Sequence, residues 1–172
     1  MIHLIMIENK NKIKDSIDII SSIKRIAYQV YEANLEEEYL IIVGIGKRGS
    51  LLSEMLGKEI ILISDLKLDY VNLSIDKEKP FKSIQSNIPL ENLENKSIVI
   101  VDDVLNTGST LIYAVSFFLQ IPVKRIKTAV MVNRNHKKFP IKADFKGISL
   151  STSVNEHITV RLKGKDSGIY LS

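Results

Sequence analysis

The chain has 172 residues, of which 45% are hydrophobic and 26% charged, and its formal net charge is +4. This composition is typical of a folded globular domain and excludes a disordered chain. The sequence lacks cysteine, which excludes disulfides, thiolate nucleophiles and cysteine-bound metals. No apolar run approaches the roughly 20 residues that cross a bilayer, and the apolar start lacks the flanks of a signal peptide. We therefore expect a cytoplasmic protein with no membrane partner.

Helices and strands alternate along the sequence. Apolar residues recur at steps of three and four in the segments that we predict to be helical, whereas continuous apolar runs or strict alternation mark the strands. The predicted elements are, in order, a helix over 16–31, a strand over 40–43, a helix over 50–61, strands over 67–75 and 97–101, a helix that ends at about 119, and a strand over 125–132. Because such alternation is typical of a mostly parallel sheet, we predict one α/β domain that spans residues 1–172.

Residues 76–96 interrupt this alternation. They contain Pro80 and Pro89, several lysines and asparagines, and little periodicity. A long irregular segment inside a compact domain is typically a lid or a binding loop, so we predict a flexible loop here.

The most informative residues follow the apolar strand at 97–101. Asp102 and Asp103 lie at its carboxyl end, which is where open α/β sheets bind ligands. The turn behind them leads into a helix, whose free amides and dipole attract anions, and Gly108 allows a close approach of the backbone. Hydroxyl groups add further donors in this turn, on Thr107, Ser109 and Thr110. The pattern predicts a ligand with a phosphate at one end and with vicinal hydroxyls or a metal beside it.

The same stretch resembles the signature of the type I phosphoribosyltransferases, which bind 5-phosphoribosyl 1-pyrophosphate (PRPP). The signature consists of apolar residues, two acids, two or three variable residues and Thr-Gly-x-Thr. The resemblance implies the type I phosphoribosyltransferase fold, a mostly parallel central sheet flanked by helices, with a small hood from about 1–15 and 143–172. By the same resemblance, the catalytic Asp102 and Asp103 would hold the ribose hydroxyls of PRPP, directly or through Mg²⁺. The 5-phosphate would be held by the turn, Asn106, Thr107, Gly108, Ser109 and Thr110.

The Gly-rich segment 44–49 stands where the family places its pyrophosphate loop. Taken alone, it is also what a generic turn between a strand and a helix looks like. The resemblance assigns pyrophosphate binding to four of its residues, Gly46, Lys47, Arg48 and Gly49, with Arg48 as a catalytic cation. The lysines of the predicted loop either add to this positive charge or form a solvated cluster, namely Lys77, Lys79 and Lys82.

Three residues near the end of the strand 125–132 have weaker assignments. Arg134 is predicted to contact the pyrophosphate or the nucleobase, and the alternative is a surface ion pair. We expect His136 to be an exposed or capping histidine and Asp144 to be structural.

Within the family, the chain most resembles the pyrimidine-operon regulators, which are uracil phosphoribosyltransferases that also bind RNA. The matching stretches are 24–27, 101–110 and 132–147. The chain departs from that pattern at four positions, Gly46, Asn106, Ser109 and Asn133. Purine phosphoribosyltransferases usually have an aspartate at the position of Asn106, and an amide cannot accept the proton of a purine.

The resemblance therefore implies transfer of the phosphoribosyl group of PRPP to a nucleobase, with uracil favoured and Mg²⁺ as cofactor. It also implies a homodimer or a larger homo-oligomer. One alternative is an RNA-binding regulator that uses the site as a nucleotide sensor, with basic positions at Lys24, Arg25, Lys137 and Lys142. The other is a protein that binds PRPP or a nucleotide without turnover.

Overall fold

The computed structural model describes residues 11–172, which form two sheets and three helices. The helices are α1 (Ser16–Glu32), α2 (Gly46–Ile63) and α3 (Ser109–Phe118). The strands are β1 (Asn11–Lys14), β2 (Tyr39–Ile45), β3 (Lys67–Ile75), β4 (Ile84–Ser86), β5 (Ser97–Leu105), β6 (Arg125–Arg134), β7 (Phe145–Leu150), β8 (Ile158–Arg161) and β9 (Gly168–Leu171).

The larger sheet has the strand order β4-β3-β2-β5-β6-β7. All neighbours in it are parallel except β4, which runs antiparallel to β3. The predicted mostly parallel sheet flanked by helices is therefore confirmed. The two central strands, β2 and β5, are apolar on both faces because each face is covered by helices.

Each face of the sheet carries its own apolar core. The α1 and α2 helices cover one face, where buried side chains such as Ile26 and Leu56 pack on β2, β5 and β6. The opposite face is covered by α3, through Leu111, Ala114 and Phe118. None of the helices within residues 11–172 combines the length and the apolar character needed to cross a bilayer.

The N-terminus of α1 shows how local sequence sets an element boundary. The Asp15 carboxylate accepts a hydrogen bond from the Asp18 amide at 2.9 Å, and the Asp18 carboxylate accepts one from the Asp15 amide at 3.2 Å. This reciprocal capping box satisfies two amides that the helix would otherwise leave without partners.

The segment 76–96, predicted to be a loop, contains two short ordered pieces. They are β4, which pairs with the end of β3, and a 3₁₀ turn at Leu90–Leu93. The flexibility of the rest of the segment stays a prediction.

The smaller sheet is antiparallel and has the order β1-β9-β8. It joins strands from near both ends of the chain, as expected for a hood. Residues 145–150, which the sequence analysis placed in the hood, lie in the larger sheet as β7. The expected hood residues 1–10 lie outside the described part of the chain.

Candidate active site

A cavity of about 320 Å³ opens beside the carboxyl end of β5. It exists because β5 is longer than its pairing with β2. That pairing stops at Val101, whereas the pairing with β6 continues to Leu105. On the side of β2, the last residues of β5 therefore border an open space, while on the other side they remain paired with β6. The cavity is lined by Arg48, Lys77, Asp102, Asp103, Val104, Leu105, Asn106, Thr107, Gly108, Thr110, Leu111, Val130, Arg134, His157 and Ile158.

The two acids, Asp102 and Asp103, lie within β5 rather than after it, and each residue is only 2% exposed. Lys77 reaches them from the segment after β3, with its Nζ 3.1 Å from Asp102 Oδ1 and 3.4 Å from Asp103 Oδ1. Arg48 Nη1 lies 3.4 Å from the other oxygen of Asp103. Two buried carboxylates are thus compensated by two half-exposed cations.

The two carboxyl groups have opposite pKa shifts. Burial raises the pKa of Asp102 to about 7, against the opposing attraction of Lys77. Burial acts on Asp103 in the same direction, but Lys77, a hydrogen bond with Asp102 and Arg48 outweigh it, so that the pKa of Asp103 lies below its ordinary value. Adjacent acids that differ in this way are typical of functional sites.

The acid pair suits a hard divalent cation. Mg²⁺ usually binds to one or two protein carboxylates, together with waters and substrate oxygens. Lys77 Nζ lies within 3.4 Å of an oxygen of both Asp102 and Asp103, so one cation can contact both side chains at once. The donor set therefore fits the expected Mg²⁺.

The turn after β5 forms the next wall of the cavity. Gly108 has a φ of +86°, and a Cβ there would lie 2.6 Å from Ile141 Cγ2, so both the backbone conformation and the space require glycine. The N-cap residue Gly108 has no side chain to cap α3, so the amides that follow Ser109 at the start of the helix stay available to an anion. Thr107, Gly108 and Thr110 line the cavity, whereas the Ser109 amide bonds to Thr107 Oγ1.

The segment predicted as a pyrophosphate loop is largely helical, because α2 begins at Gly46 instead of the predicted residue 50. Only Arg48 of its four assigned residues lines the cavity, while Gly46 and Lys47 border a separate groove beside β3 and β4. Gly49 packs so closely on β5 that a Cβ there would lie 2.7 Å from the Val101 carbonyl oxygen. Its role in the structure is therefore the close contact of α2 with the sheet.

Arg134 is buried and 6% exposed, so the alternative of a surface ion pair is wrong. Its guanidinium donates to Thr152 Oγ1 at 2.6 Å and to the Ser153 and Glu156 carbonyls at 2.7 Å each. It also lines the cavity. Contact of Arg134 with the nucleobase or the pyrophosphate stays a prediction.

The His136 ring joins two irregular segments, because its Nε2 donates to the Thr152 carbonyl at 2.6 Å. It is half-buried and caps no helix, so the prediction of an exposed or capping histidine is wrong. The prediction for Asp144 is confirmed. Asp144 is structural, since its carboxylate accepts hydrogen bonds from Lys127 and from both the amide and the hydroxyl of Thr128.

Sequence reasoning missed part of the cavity wall. His157 and Ile158, at the start of β8, face the same cavity as Asp103 although they are more than fifty residues away along the chain. They lack a local motif, and only the expectation of a hood pointed to this part of the chain.

Comparisons with known proteins identify the family of the chain. The phosphoribosyl transferase domain family matches residues 9–164. A protein of Haemophilus ducreyi named bifunctional protein PyrR is 33% identical over 153 residues, which cover 84% of this chain and 86% of that protein. A protein of the same name from Enterococcus faecalis is 30% identical over 166 residues, which cover 91% of this chain and 92% of that protein.

Solved structures show the same fold at low sequence identity. The hypoxanthine phosphoribosyltransferase of Trypanosoma cruzi has a TM-score of 0.76 at 14% identity, and the match covers 94% of this chain and 95% of that chain. A hypoxanthine phosphoribosyltransferase of Staphylococcus aureus gives 0.71 at 21% identity, with 83% of this chain and 79% of that chain covered.

The chain therefore belongs to the phosphoribosyltransferase family, and the predicted type I phosphoribosyltransferase fold is confirmed. Phosphoribosyl transfer is the activity that this family and fold support. Within the family, the chain is similar to the proteins named bifunctional protein PyrR, which confirms the resemblance drawn from the sequence.

Proposed function

We propose that the protein transfers the 5-phosphoribosyl group of PRPP to a nucleobase, and that this base is uracil. The observation that carries the proposal is the joint position of the acid pair and the α3 turn. Asp102, Asp103 and three turn residues, Thr107, Gly108 and Thr110, border one cavity, which offers oxygen ligands on one side and helix amides on the other. These are the groups that a sugar phosphate with two neighbouring hydroxyls needs.

In this proposal, Asp102 and Asp103 bind the ribose hydroxyls, directly or by holding Mg²⁺. When bound, Mg²⁺ supplies positive charge beside the pyrophosphate. The turn binds the 5-phosphate through its amides and through the hydroxyls of Thr107 and Thr110. These contacts fix C1 of the ribose in place, and positioning of this kind is a major part of catalysis.

The reaction then replaces one bond at C1 with another. A ring nitrogen of the base bonds to C1 as the bond from C1 to the diphosphate oxygen breaks, and the proton of that nitrogen passes to solvent. Arg48 and Lys77 lie at the cavity wall, where their charge would stabilise the leaving pyrophosphate. Lys79 and Lys82 are exposed, and we assign them no role.

The choice of uracil rests on the resemblance to the pyrimidine-operon regulators and on Asn106. The Asn106 side chain lines the cavity where an aspartate would be available to a purine. An amide cannot take a proton, so this position gives no assistance to hypoxanthine or guanine.

The test is a panel of nucleobases with Mg²⁺ and PRPP, with release of pyrophosphate and formation of the nucleotide as readouts. We expect turnover with uracil and little with hypoxanthine or guanine. Asp103→Asn is the matched control and should abolish turnover while the chain stays folded. Turnover with a purine alone would overturn the choice of base, and no turnover with any base would overturn the enzymatic function.

RNA binding is a second candidate function, favoured by a cluster of lysines beside the site. Lys137, Lys142 and Lys146 border one groove of about 480 Å³. Burial and then repulsion from Lys146 and Lys142 lower the pKa of Lys137. Arg25 extends the cluster, because its guanidinium bonds to the Lys146 carbonyl at 3.1 Å. Like charges held together in this way favour a polyanion.

The test of RNA binding is the affinity for a structured RNA at several salt concentrations, with and without UMP. We expect a steep fall of affinity with salt, because each lysine or arginine that binds a phosphate releases counterions. The triple variant K137Q/K142Q/K146Q should reduce the slope of the logarithm of the RNA affinity against the logarithm of the salt concentration. The double variant K163Q/K165Q in the β8–β9 turn should leave this slope unchanged. A slope near zero would overturn this function.

A further inference from the structure

Arg134 is held by neutral oxygen atoms, although it is a buried cation. Its Nε bonds to a hydroxyl, its Nη2 to two backbone carbonyls, and its Nη1 lies 3.5 Å from Asn106 Oδ1. Among residues 11–172, no carboxylate lies within ion-pair distance of the guanidinium. The residue therefore organises backbone rather than balancing a charge.

The backbone that Arg134 organises is residues 151–157, which we call the hood segment. This segment joins β7 of the larger sheet to β8 of the smaller one and has no helix or strand of its own. Three of its residues accept from the guanidinium, namely Thr152, Ser153 and Glu156. The segment ends at His157, which forms one wall of the cavity together with Ile158, the first residue of β8. Its conformation thus decides the shape of that wall.

The opposite side of Arg134 faces the turn at 106–108. Nη1 approaches the Asn106 side chain, and the chain just after Arg134 holds the same turn, since the amides of Lys138 and Phe139 donate to the Thr107 carbonyl at 2.8 and 3.2 Å. One guanidinium at the cavity wall thus contacts both the α3 turn and the hood segment. Only arginine can do this, because its planar fork presents five donors in fixed directions, whereas lysine has a single nitrogen.

We propose that Arg134 is a positioning residue that links the α3 turn to the hood segment, so that a phosphorylated sugar bound at the turn orders the wall on the hood side. The proposal rests on the proposed function, since it takes the turn to be the phosphate site. A ligand at 106–110 fixes Asn106, Asn106 fixes the free end of the guanidinium, and the other end of the guanidinium fixes the carbonyls of Ser153 and Glu156. The link does not require Arg134 to touch the ligand.

The test is hydrogen exchange of the full chain with ribose 5-phosphate, which carries the sugar and the phosphate but neither the pyrophosphate nor a base. In the wild type, we expect slower exchange of the amides at 106–110 and also at 151–157. In Arg134→Lys, the ligand should protect 106–110 as before, while 151–157 exchanges at least several-fold faster and no longer responds. In Asn106→Ala, the amides at 151–157 should exchange as fast as in the wild type when no ligand is present. Ribose 5-phosphate should, however, slow their exchange less than it does in the wild type.

The control is Arg161→Lys, which changes another arginine of the hood that contacts neither the turn nor residues 151–157. It should behave as the wild type.

The outcomes separate the two proposals. Protection at 106–110 without protection at 151–157 in the wild type overturns the link alone. The link is also overturned if ribose 5-phosphate protects the amides at 151–157 in both Arg134→Lys and Asn106→Ala as strongly as in the wild type. If ribose 5-phosphate protects neither region of the wild type, the phosphate site fails, and the link fails with it.

Discussion

The two ends of the larger sheet carry charge clusters of opposite design. At the amino end, the Glu37 carboxylate lies 2.9 Å from Lys124 Nζ and 3.3 Å from Arg125 Nη2, and Asn34 accepts from Arg125 at 2.8 Å. One acid there has two cations. At the carboxyl end, two buried acids share Lys77 and Arg48, whose side chains are 52% and 61% exposed.

The comparison separates charges that stabilise the fold from charges that serve a ligand. In the amino-end cluster, every charged residue lies at the start of a strand or in the turn just before one, so the fold itself holds the ion pairs together. The carboxyl-end cluster depends on a cation from the irregular segment after β3, and burial opposes ionisation of both its acids. The raised pKa of Asp102 means that the fold disfavours its charge, so this site is expected to cost stability in the free protein.

The largest effect should come from removing both acids. Asp102→Asn with Asp103→Asn should weaken binding of PRPP with Mg²⁺ by roughly 100-fold or more, because the ribose and metal ligands are lost. The two acids should affect stability in opposite directions at pH 7. Asp102→Asn alone should leave the free energy of unfolding unchanged or raise it, because the raised pKa of Asp102 means that the fold disfavours its charge. Asp103→Asn should lower the free energy of unfolding, because the lowered pKa of Asp103 means that the fold stabilises its charge. Calorimetric titration and urea unfolding measure the two quantities. An Asp102→Asn variant that is less stable than the wild type would contradict the comparison.

Gly108→Ala should have the next largest effect. The new Cβ meets Ile141 at 2.6 Å in a left-handed backbone conformation, so we expect a loss of about 2 kcal/mol in the free energy of unfolding and weaker phosphate binding. Gly164→Ala is the matched control, because Gly164 has a φ of +94° but nothing within 4 Å of the added atom. Equal losses in the two variants would show that the crowding at Gly108 has no consequence.

Glu37→Gln should show how much the ion pairs at the amino end of the larger sheet contribute to stability. The hydrogen bond from Lys124 holds the pKa of Glu37 below its ordinary value of 4.5, with help from Arg125. A lowered pKa stabilises the fold above the unfolded pKa, and this contribution is lost as the pH falls through the folded value. At pH 7, we expect a loss of about 1 kcal/mol in the free energy of unfolding. The difference should shrink below about pH 4.5, the ordinary value. A difference in the free energy of unfolding that is independent of pH would contradict a stabilising role of the ionised Glu37 carboxylate.

The smallest effect on stability should come from Lys77→Met. Lys77 is half exposed, and Asp102, whose pKa burial already raises to about 7, can take up a proton instead of staying charged without its partner. The loss in the free energy of unfolding should therefore stay below about 1 kcal/mol. Exchange of the amides at 76–83 should nevertheless become faster, since the Lys77 side chain no longer holds this segment against β5. Lys79→Met is the control, because Lys79 is exposed and away from the acids. Unchanged exchange in Lys77→Met would show that the contact does not hold the segment.

Local patterns predicted most of the larger sheet and the acid-bearing strand. The apolar run before Asp102 identified β5, and the signature identified the turn through Gly108, because both depend on neighbouring residues. The boundaries were less predictable. Gly46 was expected in a loop, yet it begins α2, since the close packing of Gly49 on Val101 allows the helix to start next to the sheet.

Contacts between distant residues were the least predictable part of the site. The approach of Lys77 to Asp102 and the hold of Arg134 on residues 151–157 depend on the folded path of the chain. Sequence patterns gave both residues two alternative roles and could not decide between them. His157 and Ile158 lack any local signal, because a wall residue needs only a suitable position in the fold.

The pairing of β1 with β9 has a consequence for how the protein is made. Asn11 lies opposite Leu171, and β9 in turn holds β8, whose first residue borders the cavity. During synthesis on the ribosome, the larger sheet can form before β9 emerges, but β1 must wait for its partner until β9 has also been synthesised. The pocket is therefore expected to acquire its last wall only after the larger sheet has formed.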